Sequence, residues 1–352
     1  MTTDFLIIGG GITGMWVAHY LIQYQQNCLL IDEGLPNTAS RIASGVMNPI
    51  TGKYLIKTWR ADDFFPHAQQ AYTQLCQQLS LPHTTRPINI VWLIKQQQQW
   101  QEMQQLSQKE TIAPWIHQLQ QNNYLPQLQQ HYGHIAIKAY FIELHKLIPT
   151  FHQYLAQKNA ILYQKMNYQD CQIHTNGITW GDIKAKHVIF CDGIAALQNP
   201  YFQHLPLVPL KGERLLVQLP DLPNITNIIK ASGLSIVPHT APDIYWVGSN
   251  YQHWNNNPTP TTEQYQKFTQ TLDQLLHIPY QVLDHQAAIR PAVLHRYPFV
   301  GKHPQYPQLS VLNGMGTKGT TLAPFFAQQL IQHLIYQHPI DPEVSIDQYK
   351  KN

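Results

Sequence analysis

No stretch of this 352-residue sequence approaches the ~20 consecutive apolar residues that would span a bilayer. The first apolar run, Phe5-Leu6-Ile7-Ile8, begins too early and is too short for a secretory leader, so a cytoplasmic location is the expectation. Cysteine is equally sparse. Cys28, Cys76, Cys171 and Cys191 show neither a C-x-x-C pair nor metal-ligand spacing, and they read as reduced core thiols. His145 and His152 share one expected helix face, yet no further ligand accompanies them, so no metal is expected. A Ser/His/Asp hydrolase elbow is missing too. A formal net charge of +3 gives none of the basic face that a phosphate backbone demands, which argues against a nucleic-acid partner.

The length and moderate hydrophobicity suit two globular domains with ample core and exclude disorder. The run at residues 5–8 is β-type and closes on Gly9-Gly10-Gly11, after which Val17, Ala18, Leu21 and Ile22 recur at helical spacing. A second buried strand at residues 28–31 ends on Asp32-Glu33-Gly34, completing a parallel βαβ unit. From about residue 59 to 130 the chain reads as helical and glutamine-rich, with aromatic and aliphatic residues breaking the polar tracts at helical intervals. Residues 141–155 read as an amphipathic helix, and 160–163 and 187–191 as strands. Residues 206–283 alternate in the β manner around a helix near 263–276. A last strand at 309–312 runs through Asn313-Gly314-Met315-Gly316 into a helix. The first domain is therefore expected from three pieces, residues 1–52, 136–205 and 286–352, and the second from 53–135 and 206–285.

Gly9-x-Gly11-x-x-Gly14 is a weak pattern alone, but here it has a preceding strand, a following helix and an acid closing the second strand. In that setting the first glycine makes the turn, the second lets backbone amides reach a pyrophosphate, and the third permits helix-strand packing. The helix start, with Ile12 and Thr13, adds its positive dipole. Asp32 is placed to accept hydrogen bonds from an adenosine ribose, with Glu33 next in order. Such a unit holds NAD or FAD. The loop Ser40-Arg41-Ile42-Ala43-Ser44-Gly45-Val46-Met47-Asn48-Pro49, small-residued and rich in backbone donors, suits a long extended cofactor.

Together with Asn313-Gly314-Met315-Gly316-Thr317-Lys318-Gly319-Thr320-Thr321-Leu322-Ala323-Pro324, that loop resembles the D-amino-acid oxidase superfamily, nearest its glycine oxidase and sarcosine oxidase branch. Pro209-Leu210-Lys211-Gly212, Ile236-Val237-Pro238, Val247-Gly248-Ser249 and Ala288-Ile289-Arg290-Pro291 follow in register, so the resemblance covers nearly the whole chain. It implies an α/β protein (α+β overall), with a Rossmann-like FAD-binding domain of discontinuous segments and a substrate domain built on a mainly antiparallel sheet. It also implies oxidation of the C–N bond of a small amine or amino acid to an imine, with a hydride passing to the flavin and then to oxygen or another acceptor.

Carried over by position, the resemblance puts Arg41, Ala43, Ser44 and Gly45 against the cofactor and Met47 and Asn48 near the flavin ring. Residues 166–168 fall near adenine and Gly193 near the adenosine. Gly314, Met315, Gly316, Thr317, Gly319 and Thr320 face the flavin, and Lys318 adds a charge there. Arg290 grips a substrate carboxylate by a two-pronged pair. Two positions depart from the family pattern: Ala288 replaces its usual glycine, and Trp246 stands where some amine oxidases place a basic residue to assist oxygen. No cysteine lies near Arg290, where the sarcosine branch attaches its flavin, so the FAD is expected to be noncovalent. The alternatives are a tRNA-modifying FAD oxidase module, which the weak charge disfavours, an NAD dehydrogenase, and a flavin-binding protein without turnover.

Overall fold

The computed structural model describes residues 1–222, 226–254 and 257–349. Its first sheet has eight strands. Thr2–Ile8 lies at the centre, parallel to Cys28–Asp32 on one side and Ile183–Phe190 on the other. Ile161–Tyr163 extends the first side, while Leu309–Asn313 pairs in parallel with the last residues of Ile183–Phe190. Central parallel strands are covered on both faces, which is why these runs are apolar throughout. Ile7, Leu30 and Ile189 face a cluster with Trp16, Phe151 and Phe326 from three helices, Ile12–Gln23, Leu144–Gln157 and Gly319–Tyr336. Leu6, Ile8 and Phe190 turn the other way, onto Trp180, Phe202 and Phe299.

The second sheet has ten strands and is mainly antiparallel; Ile228–Ala231 beside Thr85–Ile94 is a parallel pair. At its centre Leu210–Gln218 pairs with Ile244–Gly248 and with Gln281–Arg290. One face packs Leu215, Val217, Tyr245 and Val247 against Phe268 and Leu272 of the helix Thr262–Leu275. The opposite face carries Gly212, Arg214, Trp246, Gln286, Ala288 and Arg290, which the pleat places together.

Three expectations change. Phe141 belongs to the strand Gly133–Ile142, and the helix begins only at Leu144. The stretch 59–130 contains the helices Ala61–Gln78 and Gln97–Ser107 but also two strands, Thr85–Ile94 and Ile116–Gln120. The glutamines at 118 and 120 therefore sit on an edge strand, where pairing with Gly133–Ile142 satisfies a backbone that the residue types alone assign to a helix. The expected domain boundaries at 136 and 286 fall inside Gly133–Ile142 and Gln281–Arg290, so by strand membership the antiparallel domain takes in both. Among the described residues no helix is long and apolar enough to cross a membrane, and no cluster of residues could hold a metal.

Candidate active site

A groove of about 670 Å³ runs between the two sheets, from the glycine turn to the end of Gln281–Arg290. Gly9, Gly11, Ile12 and Thr13 line one end. Gly9 has φ +100°, and a Cβ there would stand 2.4 Å from the Cys191 carbonyl oxygen. A Cβ on Gly14 would stand 1.8 Å from the Gly9 carbonyl oxygen, so this glycine serves helix-strand packing and does not line the groove. The helix Ile12–Gln23 starts without a side-chain cap, leaving amides for an anionic group. Ser40 Oγ accepts from Ile12 N at 3.0 Å beside them.

Asp32 lines the groove with a carboxylate that is already held: Oδ2 accepts from Gly10 N at 2.7 Å and Oδ1 from Gly34 N at 2.8 Å. Glu33 lines the same end. A third member, His152, comes from the helix Leu144–Gln157. Its ring is 1% exposed and its Nε2 donates to Gly10 O at 2.8 Å. Because that carbonyl can only accept, Nε2 carries the proton. Nδ1 is left to accept from Tyr163 Oη at 3.4 Å, and burial lowers the pKa below the ordinary histidine value. Gly10 is thus fixed at both its N–H and its C=O by side chains from two different elements.

Further along, Met166, Tyr168 and Gly193 line the groove, together with Asp192. Asp192 accepts from Tyr168 Oη at 2.9 Å, Asn199 Nδ2 at 3.0 Å and Asn313 Nδ2 at 3.1 Å. Burial pushes its carboxyl up to about 6, against those hydrogen bonds. Asn313 Nδ2 also donates to Gly193 O at 2.8 Å, which docks the C-terminal turn onto this part of the groove. Neither Asp192 nor Asn313 was assigned a role from sequence, since their meeting depends on strands more than 100 residues apart.

In the middle, Ala43, Ser44, Gly45 and Val46 line one wall and Met315, Gly316, Thr317, Gly319 and Thr320 another. Arg41, Met47, Asn48, Gly314 and Lys318 are not among the lining residues. Val46–Met47 pairs with Tyr140 and Phe141, so alternation sends Val46 to the groove and Met47 into the core. Lys318 Nζ donates to the Asn48 carbonyl at 3.0 Å, tying the two walls together from behind. Burial, with the charges of Lys230 and Arg296, lowers Lys318 to about 8. Trp246 Nε1 donates to Ile42 O at 2.8 Å and buttresses the same wall.

At the far end, the guanidinium of Arg290 lies across Gly212 of the paired strand, where a Cβ would come within 2.0 Å of Nη2. Nη2 donates to Ser249 Oγ at 3.0 Å and Nη1 to Asn250 O at 3.2 Å, and the Tyr251 ring centroid lies 4.9 Å from Cζ. No carboxylate among the described residues pairs with it, and burial lowers its pKa. Lys211 and Glu213 alternate to the other face. There they hold residues 259 and 261 of the segment at the groove mouth.

A family model described as FAD dependent oxidoreductase (DAO) matches residues 4–333. The chain belongs to the DAO family of FAD-dependent oxidoreductases. The residues present fit that cofactor: glycines whose Cβ positions are filled, a helix start with a glycine at its N-cap and an acid at the end of the second strand meet in one continuous groove. The bifunctional protein ThiO/ThiG of Nostoc sp. is 24% identical over 378 residues, matching 100% of this chain and 55% of the relative. The oxidoreductase thus spans about half the length of that curated protein. Glycine oxidase from Geobacillus kaustophilus superposes with a TM-score of 0.80 at 17% identity, covering 96% of each chain. Iminodiacetate oxidase from Chelativorans sp. BNC1 superposes with a TM-score of 0.78 at 17% identity, covering 97% of this chain and 98% of that one.

Proposed function

We propose that this oxidoreductase oxidises the C–N bond of a small amino acid or amine that carries a carboxylate, giving an imine. The observation that carries this reading is the Arg290 guanidinium, half-buried, unpaired with any acid among the described residues, and laid into space that Gly212 leaves free. A buried cation without a counter-ion is costly, and an incoming carboxylate removes that cost. The names of two structural neighbours, oxidases of glycine and of iminodiacetate, agree with such a substrate.

Bound FAD supplies the two-electron acceptor for the C–H bond next to nitrogen. The chain's part is to bind and orient. Arg290 fixes the carboxylate through its two Nη groups, while Ser249 Oγ and Asn250 O keep the guanidinium plane in place. With Gly10 held by Asp32 and His152, the glycine turn would face the pyrophosphate, and Asp32 and Glu33 would receive the ribose. Ala43, Ser44 and Gly45 on one wall and Met315, Gly316, Thr317, Gly319 and Thr320 on the other would enclose the middle of the cofactor.

The test is anaerobic mixing of the FAD-loaded protein with glycine, sarcosine, D-amino acids and amines lacking a carboxylate, followed by flavin bleaching. Carboxylate-bearing amines are expected to bleach it and plain amines to do so much more slowly. Bleaching by plain amines alone would overturn the reading. Peroxide yield on readmitting air then separates oxygen from another acceptor.

A further inference from the structure

Arg290 is not the only unpaired arginine on this face of the sheet. Arg214 follows Gly212 by two positions on the same strand, lines the groove and is 7% exposed. Its Nε and Nη2 donate to Gln286 Oε1 at 3.0 and 2.5 Å, and its Nη1 to His239 Nε2 at 3.4 Å. Arginine has no acceptor, so the His239 nitrogen must accept, and that ring is neutral. Burial, with the neighbouring charges of His145, Arg214 and Lys146, lowers His239 to about 3. Both partners of Arg214 are thus neutral. Among the described residues it has no ion pair, and Asp284 acts on it only at longer range. The acid next to it in sequence, Glu213, points through the sheet to the opposite face and is spent on Lys211, Thr261 and His285.

The placement of the two guanidinium groups is informative. Arg290 leans back over Gly212, and one face of a strand repeats every two residues, about 7 Å. Both uncompensated cations line the same cavity wall, Arg290 lying over Gly212 and Arg214 held by Gln286 and His239. Gln286 and His239 hold Arg214 from two sides, so the second cation is positioned in advance of any ligand. A single carboxylate satisfies one of them.

We propose that the substrate is an amino or imino diacid, with one carboxylate on Arg290 and the second on Arg214, the two separated by a short aliphatic spacer or by the amine nitrogen itself. This rests on the amine-oxidising reading above and narrows it to a chemical class. Arg214 is then the residue that sets specificity, because a monoacid leaves it buried and unpaired.

The FAD-loaded enzyme is mixed anaerobically with iminodiacetate and D-glutamate, and separately with sarcosine and D-alanine. The diacids are expected to reduce the flavin with an apparent second-order constant at least about tenfold higher, the margin of one further charge-assisted contact. Arg214→Gln is expected to bring that ratio to about one, and Arg214→Lys to an intermediate value. A parent enzyme that does not distinguish the classes, or an Arg214→Gln enzyme that keeps the full preference, overturns the proposal. A non-reactive pair, glutarate against butyrate, is titrated in parallel by the change in flavin absorption and by thermal shift. If no amine bleaches the flavin, the amine reading fails while this comparison still decides the diacid site: glutarate must bind at least about tenfold tighter than butyrate in the parent. Should the Arg214 variants fail to load FAD, Gln286→Leu replaces them, and an unaltered glutarate preference there counts against the site.

Discussion

Nη2 of Arg290 occupies the space where a side chain on Gly212 would begin: a Cβ there would stand 2.0 Å from it. The two residues lie on adjacent antiparallel strands, with Gly212 directly opposite Ala288. The glycine is therefore a steric condition for where the guanidinium rests. Gly212→Ala is expected to displace Arg290 while leaving the sheet paired. A displacement of about 1 Å costs on the order of 10²-fold in positioning, so the rate of flavin reduction by amino acids falls by about that factor. Plain amines should be affected far less, and an equal loss for both classes would point to damage elsewhere.

Arg290→Lys keeps a charge but loses the planar fork, so it should raise KM and slow flavin reduction together. Arg290→Ala should cost about 2 to 5 kcal/mol in kcat/KM for a carboxylate substrate, because that group is then buried without a partner. Steady-state kinetics across an amino acid and its decarboxylated amine would check this. The amine should show little change.

His152 holds the carbonyl of Gly10 and Asp32 its amide. His152→Phe should weaken FAD binding by about 1 to 3 kcal/mol, and Asp32→Ala by a similar amount, since each releases a buried backbone group. Asp32→Ala also frees the Gly34 amide and should lower the melting temperature of the FAD-free protein. Flavin fluorescence titration gives the affinities. Once FAD is saturating, substrate KM in both variants should match the parent.

His19 and His145 are held down to about 4, and His187 and His239 to about 3, each chiefly by burial. An unfolded histidine protonates near about 6.5, whereas these stay neutral in the fold until much lower pH. Below about pH 6.5 the unfolded chain therefore binds more protons than the folded one, and stability falls toward pH 4. Each histidine contributes up to about 1.4 kcal/mol per pH unit over that window. Calorimetry from pH 7.5 to 4 should show a steep loss. His187→Gln should flatten the slope by about one proton, with Ser310 keeping a partner for its hydroxyl.

The glycine turn, the acid after the second strand and Arg290 were legible in the sequence because each is fixed locally. Gly14 answers to its close approach to Gly9 within one βαβ unit and Gly9 to its positive φ at the turn, and Pro291 biases Arg290 toward the extended backbone it has at its strand end. Met47 was harder to place. Its position in a small-residue loop suggested the flavin, but two residues of pairing with Tyr140 and Phe141 decide which way it faces. Lys318 likewise reads as a charge beside the cofactor, yet it is turned onto the Asn48 carbonyl behind the wall. His152, Asp192, Asn313 and Arg214 gave no local signal. Their partners come from distant segments, and no short-range pattern records such meetings.

The central sheet has a consequence for biosynthesis. Strands from residues 2–8, 28–32, 161–163, 183–190 and 309–313 must all be present before its parallel core is complete, and residues 313–320 form part of the groove wall. A chain still emerging from the ribosome can fold its amino-terminal βαβ unit early, but it has no closed cleft until residues 313–320 have been made. Until then the half-built sheet exposes apolar edges. Cofactor capture is consequently a late event. Scarcity of riboflavin in the growth medium should then show up as aggregation of full-length chains, with no build-up of soluble fragments.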